Sequence, residues 1–144
     1  MTPLVVDASV AVKWLLPEVH SPAARRILTA DEDLLAPDLL WAEVGNVLWK
    51  RCRSGELTRE QAQELLQDFR RLPVTTVSAR SLVAEAWEIA VQFDRSVYDS
   101  LYLVLAVIRE CRLVTADRAF YSSLRRTPLA ASLCWVEDIR PESH

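Results

Sequence analysis

Four acidic residues stand where a carboxylate has chemistry open to it. Asp7 follows the apolar, β-branched run Leu4-Val5-Val6, and Asp117 follows Arg112-Leu113-Val114-Thr115-Ala116 in the same way. Glu43 lies between Leu40 at i−3 and Val47 at i+4, so it sits on or beside the apolar stripe of a helical pattern. Asp99 opens the most apolar stretch of the chain, with Tyr102, Leu103 and Ala106 on its side of a helix. Taken singly, Asp7 could close a turn, Asp117 could cap a helix and Asp99 could answer a helix dipole. Glu43 fits no such role, because an unpaired carboxylate on an apolar face is costly. Brought together, four carboxylates repel one another and cannot all stay ionised unaided. Mg²⁺ or Mn²⁺ resolves that conflict: either ion takes hard oxygen ligands, keeps waters and bridges to phosphate. Such an ion turns water into a nucleophile and stabilises the leaving oxygen of a phosphodiester.

The other reactive residue types leave few alternatives. The two histidines, His20 and His144, lie near Pro17 and at the last position, which argues against a histidine-based triad. Two glycines, Gly45 and Gly55, are too few for a P-loop or a dinucleotide fingerprint. The three cysteines, Cys52, Cys111 and Cys134, have neither zinc nor disulfide spacing and read as reduced thiols. Ser9 stands two residues after Asp7 and Thr115 two before Asp117, where each could support a carboxylate by a hydrogen bond.

The surrounding elements must carry these acids to one place. A strand into Asp7 is followed by a short helix that Pro17 stops. Ser21 and Pro22 read as the cap and first position of a second helix. Residues 34–36 form a strand, and a long helix runs from Asp38 to Ser54, striped by Leu40, Trp41, Val44, Val47 and Leu48. Thr58 and Gln61 form a capping box for the next helix, and Val74-Thr75-Thr76-Val77 is a β-branched strand. Ser78 is expected to cap a helix with Leu82, Val83, Ala86, Trp87, Ile89 and Ala90 on its buried side. Ser96 starts a helix that is apolar all round over residues 101–108 and so is central. A strand into Asp117, a short helix and an edge strand at residues 133–136 complete the alternation, before a polar tail. Strands alternating with helices imply a mostly parallel sheet covered on both faces. With right-handed crossovers all four acids can converge at the carboxyl edge of the strands, where open α/β sheets bind ligands.

With 144 residues, half of them apolar, the chain is expected to form one domain over residues 1–144. No apolar run reaches the ~18 residues of a membrane span, and the amino terminus lacks a basic leader, so a cytoplasmic protein with no membrane partner is expected. The net charge of −3 argues mildly against binding nucleic acid over the whole surface. Its basic residues are fifteen Arg against two Lys, a skew compatible with phosphate contacts but equally with a codon preference.

At these residues the chain resembles the PIN-domain nucleases, and more closely the VapC-type toxins of toxin–antitoxin modules. Val5-Val6-Asp7-Ala8-Ser9-Val10 looks like the family's first motif, residues 37–48 around Glu43 and Asn46 like the second, residues 98–106 around Asp99 like the third, and residues 113–120 around Asp117 like the fourth. The resemblance implies a three-layer α/β/α sandwich and Mg²⁺- or Mn²⁺-dependent endoribonuclease activity. Its metal ligands and catalytic residues would be Asp7, Glu43, Asp99 and Asp117, supported by Ser9, Asn46 and Thr115. It also implies a cognate antitoxin and a homodimer. The further ligand some members carry after the fourth acid is missing, since residues 118–122 are Arg, Ala, Phe, Tyr and Ser. A haloacid dehalogenase-type phosphatase would need an acid at Ser9, and a response-regulator receiver would need a late lysine, whereas none follows Lys50. The other reading is a catalytically inactive PIN-like module that binds RNA or protein, against which the presence of all four acids argues. Trp14, Leu15 and Leu16, with Trp49 on the third helix, are expected to leave an apolar surface for a partner.

Overall fold

The computed structural model describes residues 2–30 and 32–139. Asp31 and the polar tail from Arg140 to His144 lie outside the described residues. The chain alternates as expected: β1 (Thr2–Val6), α1 (Ala8–Leu15), α2 (Ser21–Thr29), β2 (Glu32–Pro37), α3 (Leu39–Arg53), α4 (Arg59–Arg70), β3 (Val74–Val77), α5 (Ala79–Phe93), α6 (Val97–Ile108), β4 (Arg112–Thr115), α7 (Arg118–Ser123) and β5 (Leu133–Trp135). The strands form one sheet in the order β3-β2-β1-β4-β5, and every pairing is parallel. Helices α1–α4 pack on one another, α6 lies across β1, β2 and β4, and α5 covers α6. The result is the three-layer α/β/α sandwich.

The strand order carries the functional consequence. From β1 the chain winds outward through β2 and β3, then returns past β1 to build β4 and β5 on its other side. The boundary between β1 and β4 is therefore the topological switch point, where a crevice opens at the carboxyl ends of the strands. Val5, Val6, Leu113 and Val114 are wholly buried there, which holds the two strand ends in register. Asp7 directly follows β1, and Asp117 lies two residues past the end of β4.

Several expectations are corrected. Ser21 does not cap α2: His20 holds the cap position, and the buried Ser21 hydroxyl instead donates to the Leu16 carbonyl at 2.8 Å and accepts from the Glu18 N–H at 2.9 Å. It thereby ties up the turn around Pro17. Ser78 makes no capping bond with its side chain; the Ala79 N–H that opens α5 donates to Asp38, 2.9 Å away at the start of α3. Trp14 belongs to the core, its ring N–H donating to the Ala24 carbonyl at 2.8 Å, so α1 exposes less apolar surface than its composition suggests. On α5 only Leu82 and Ala86 are buried, while Val83 and Trp87 face outward. The expected all-round burial of α6 holds from Ser100 to Ala106 and ends there, with Val107 and Ile108 exposed.

Candidate metal centre

Asp7 ends β1 and caps α1: its Oδ1 accepts from the Val10 N–H at 3.2 Å and from the Ser9 hydroxyl at 2.5 Å. The Ser9 Oγ also accepts from the Ala116 N–H at 2.9 Å and lies 3.3 Å from the Thr115 hydroxyl, joining the end of β1 to the end of β4. Thr115 accepts from the Asp117 N–H at 3.1 Å, and Asp117 caps α7 by accepting from the Phe120 N–H at 3.1 Å. The capping roles that each acid could have had alone are therefore real. They do not compete with the site; they aim the remaining carboxylate oxygens.

Glu43 and Asp99 arrive from opposite helical layers. Glu43 comes from the middle of α3, and its Oε1 accepts from the Tyr102 hydroxyl of α6 at 2.5 Å. Asp99 stands one turn before Tyr102, in the first turn of α6, where its N–H donates to the capping Ser96 hydroxyl at 3.0 Å. A small cavity of about 100 Å³ is lined by all four acids together with Ala8, Ser9, Tyr102 and Phe120. Ser9 and Thr115 stand where expected. Asn46 is exposed on α3 and does not line the cavity.

The electrostatics record the crowding. Burial pushes the Asp7 carboxyl up to about 6; the Ser9, Thr115 and Val10 hydrogen bonds oppose that rise, and the Asp117 charge adds to it. Burial also raises Glu43, against the Tyr102 hydrogen bond and with the Asp99 charge. Asp99 is raised by burial and by Asp117, and eased by Ser96 and Arg95. The Tyr102 phenol is held neutral by burial and by the negative groups around it, so it keeps its proton and donates a hydrogen bond to Glu43.

The donor set suits a hard divalent cation. Its oxygens are all carboxylate or hydroxyl, with no sulfur or imidazole. No group of three or more His, Cys, Asp and Glu side chains among the described residues is clustered tightly enough to hold an ion by its own atoms alone. Mg²⁺ is commonly held by one or two carboxylates and completed by water. The cavity has room for that water, each molecule occupying about 30 Å³.

Tyr102 is the residue sequence reasoning missed as part of the site. The signal was present: a phenol one turn after Asp99, in a stretch otherwise apolar, must find a partner when buried.

The molecule is thus a parallel α/β sandwich with four carboxylates gathered at its switch point. This chain belongs to the PIN domain family, whose model matches residues 4–123. Among its relatives, Ribonuclease VapC3 of Pyrobaculum aerophilum is 34% identical over 119 residues, spanning 80% of this chain and 89% of that protein. The fold is similar to the crystal structure of PAE2754 from Pyrobaculum aerophilum, with a TM-score of 0.68 and 24% identity over 94% of this chain and 85% of that one. It is similar also to VapBC2 from Rickettsia felis, solved with a DNA fragment from its promoter, with a TM-score of 0.63 and 15% identity over 93% of this chain and 98% of that one. Among the described residues no helix is long and apolar enough to cross a membrane.

Proposed function

We propose that this chain is a divalent-metal-dependent endoribonuclease and the toxin of a toxin–antitoxin pair, acting in the cytoplasm as a single PIN domain. The observation that carries the reading is the convergence of Asp7, Glu43, Asp99 and Asp117 on one cavity at the β1/β4 switch point. These four are the proposed metal ligands for Mg²⁺ or Mn²⁺. The ion, when bound, supplies an activated water and offsets charge on the scissile phosphate. The chain's own part is positional. Ser9 and Thr115 hold the Asp7 and Asp117 ends together, and Tyr102 fixes the Glu43 carboxylate by donating to one oxygen and leaving the other free. Asn46, exposed on the next turn of α3, remains a proposed supporting residue on the approach rather than in the cavity.

The proposed antitoxin surface is a groove of about 360 Å³ between the end of α1 and the outer side of α4, walled by Leu15, Leu16, Leu57 and Leu65. The relatives' names support this reading: one is a VapC ribonuclease and another structure is a VapBC. The proposed homodimer uses the outer face of α5. The direct test is cleavage of RNA by purified protein with added Mg²⁺ or Mn²⁺ and with excess EDTA. Cleavage that stops in chelator and returns with metal is expected; cleavage undiminished in chelator, or none in either metal, overturns the proposal.

A further inference from the structure

Immediately after the acidic cavity the chain builds a second polar concavity. An open cleft of about 670 Å³ is lined by Ser122, Ser123, Arg125 and Arg126, at the end of α7 and in the turn beyond it. The six residues of α7 rise about 9 Å, so the cleft begins one short helix away from Asp117. Its walls are held in place. Leu124, between the two pairs, is wholly buried and anchors the turn. The Ser123 hydroxyl donates to the Phe120 carbonyl at 2.7 Å and accepts from the Arg95 guanidinium at 2.9 Å. Arg95 is steadied at its other edge by the Asp94 carbonyl, 2.9 Å from Nε. It thus bridges the start of α6, which carries Asp99, to the end of α7.

Five ion pairs occur among the described residues, and none involves Arg125 or Arg126, both exposed. Arg118 is different, because its guanidinium lies 3.9 Å from the Trp135 ring centre and is engaged there. In a chain of net charge −3, Arg125 and Arg126, with Arg95 held beside them by Ser123, form a local reversal of sign next to the four acids. The forked guanidinium matches phosphate oxygens in pairs, and the Ser122 hydroxyl adds a single donor. A polyanion entering the acidic cavity meets repulsion, and nearby arginines offset it.

We propose that the cleft of Ser122, Ser123, Arg125 and Arg126, continued by Arg95, binds the phosphate backbone of the RNA next to the bond placed in the acidic cavity. The proposal rests on the reading of that cavity as a ribonuclease centre. Contacts of this kind set register and affinity without reading sequence. They also make binding depend on salt, each neutralised phosphate on a single strand contributing about 0.7 to the slope of log affinity against log salt.

The test is the double variant Arg125→Glu/Arg126→Glu, with Arg25→Glu/Arg80→Glu as the control of equal charge change on exposed positions elsewhere. Binding of a fluorescein-labelled single-stranded RNA is measured in EDTA between about 50 and about 200 mM KCl, and KM and kcat are measured with Mg²⁺. For the cleft variant, affinity is expected to fall at least about tenfold and the salt slope to fall by about 1.5, with KM raised and kcat nearly unchanged. Equal losses in the control pair, or no loss in the cleft pair, overturn the inference. So does loss of binding to an acidic protein partner while RNA binding is intact. If the wild type cleaves no RNA under any metal, the ribonuclease reading fails, and the binding arm still decides whether the cleft holds RNA. Circular dichroism spectra matching wild type confirm folding, and Arg125→Gln/Arg126→Gln replaces the charge reversal if they do not.

Discussion

At the carboxyl edge of the sheet the serine, threonine and tyrosine hydroxyls near the acids each have a partner, and the acids are still pushed toward neutrality. On the outer face of α5 the situation is reversed: Val83, Trp87 and Val91, one turn apart, stand 45%, 54% and 62% exposed. The first region concentrates negative charge, which the proposed cation would offset. The second concentrates apolar area, which the proposed second copy would cover. The difference teaches how to separate function from stability in this molecule. Changes in the cavity should alter chemistry and can relieve the fold, whereas changes on α5 should alter assembly and leave both alone.

The largest expected effect is that of Asp7→Asn. The amide keeps the shape and can still accept from Val10 and Ser9, but it removes a charge from the crowded site. Cleavage should fall by about 10²-fold or more, on the scale of losing one electrostatic contact in a catalytic site. Metal-free stability should rise, not fall. The sign follows from linkage: the Asp7 carboxyl ionises near 6 in the fold, against its ordinary value of 3.8 in an unfolded chain. The folded state therefore binds more protons in that window, and stability present at pH below 3.8 is lost as pH rises through 6. A difference of about 2 units bounds the effect at about 3 kcal/mol, and contact with cavity water makes it smaller. Glu43 and Asp99, also raised, act in the same direction. Urea melts of metal-free protein at pH 7.5 and 4.5 should show wild type more stable at the lower pH, with the gain reduced in Asp7→Asn. Saturating Mg²⁺ should flatten the wild-type dependence, because the ion favours the ionised carboxylates. A metal-free wild type that is more stable at pH 7.5 would contradict the crowded-carboxylate picture.

Tyr102→Phe should have an intermediate effect. It leaves all four acids in place and removes only the donor that orients Glu43. Loss of a residue that orients a metal ligand commonly lowers activity or metal affinity by about 10- to 100-fold, so a fall in that range with a weaker Mg²⁺ midpoint is expected. The stability cost should be about 1 kcal/mol. Unchanged metal titration would make Tyr102 a packing residue only.

Smallest for the fold, and confined to assembly, is Trp87→Glu. An exposed substitution should shift monomer stability by no more than about 0.5 kcal/mol. If the α5 face joins two copies, the dimer dissociation constant should rise at least about tenfold in sedimentation equilibrium. Cleavage per active chain should be unaltered. A wild type that is monomeric at high micromolar concentration would remove the second half of the comparison.

Much of this was legible without coordinates, because it depends on local pattern. The four motifs, the strand–acid–helix order, the Thr58 capping box and the helical stripe of α3 are read from neighbours a few residues apart, and they stand as expected. Ser9 and Thr115, each two residues from an acid, do bond to it: Ser9 donates to the Asp7 carboxylate and Thr115 accepts from the Asp117 N–H. What the sequence left open depends on contacts between distant segments. Asp38 rather than Ser78 opens α5, Tyr102 meets Glu43 across 59 positions, and Arg95 meets Ser123 across 28. Helical periodicity placed Val83 and Trp87 inward because it identifies an apolar face but not what covers it; α6 covers only the side of Leu82 and Ala86. The types of residue determined that a carboxylate site was possible. The winding of β4 back beside β1 decided where it forms, since parallel pairing alone brings residues 7 and 117 to the same edge.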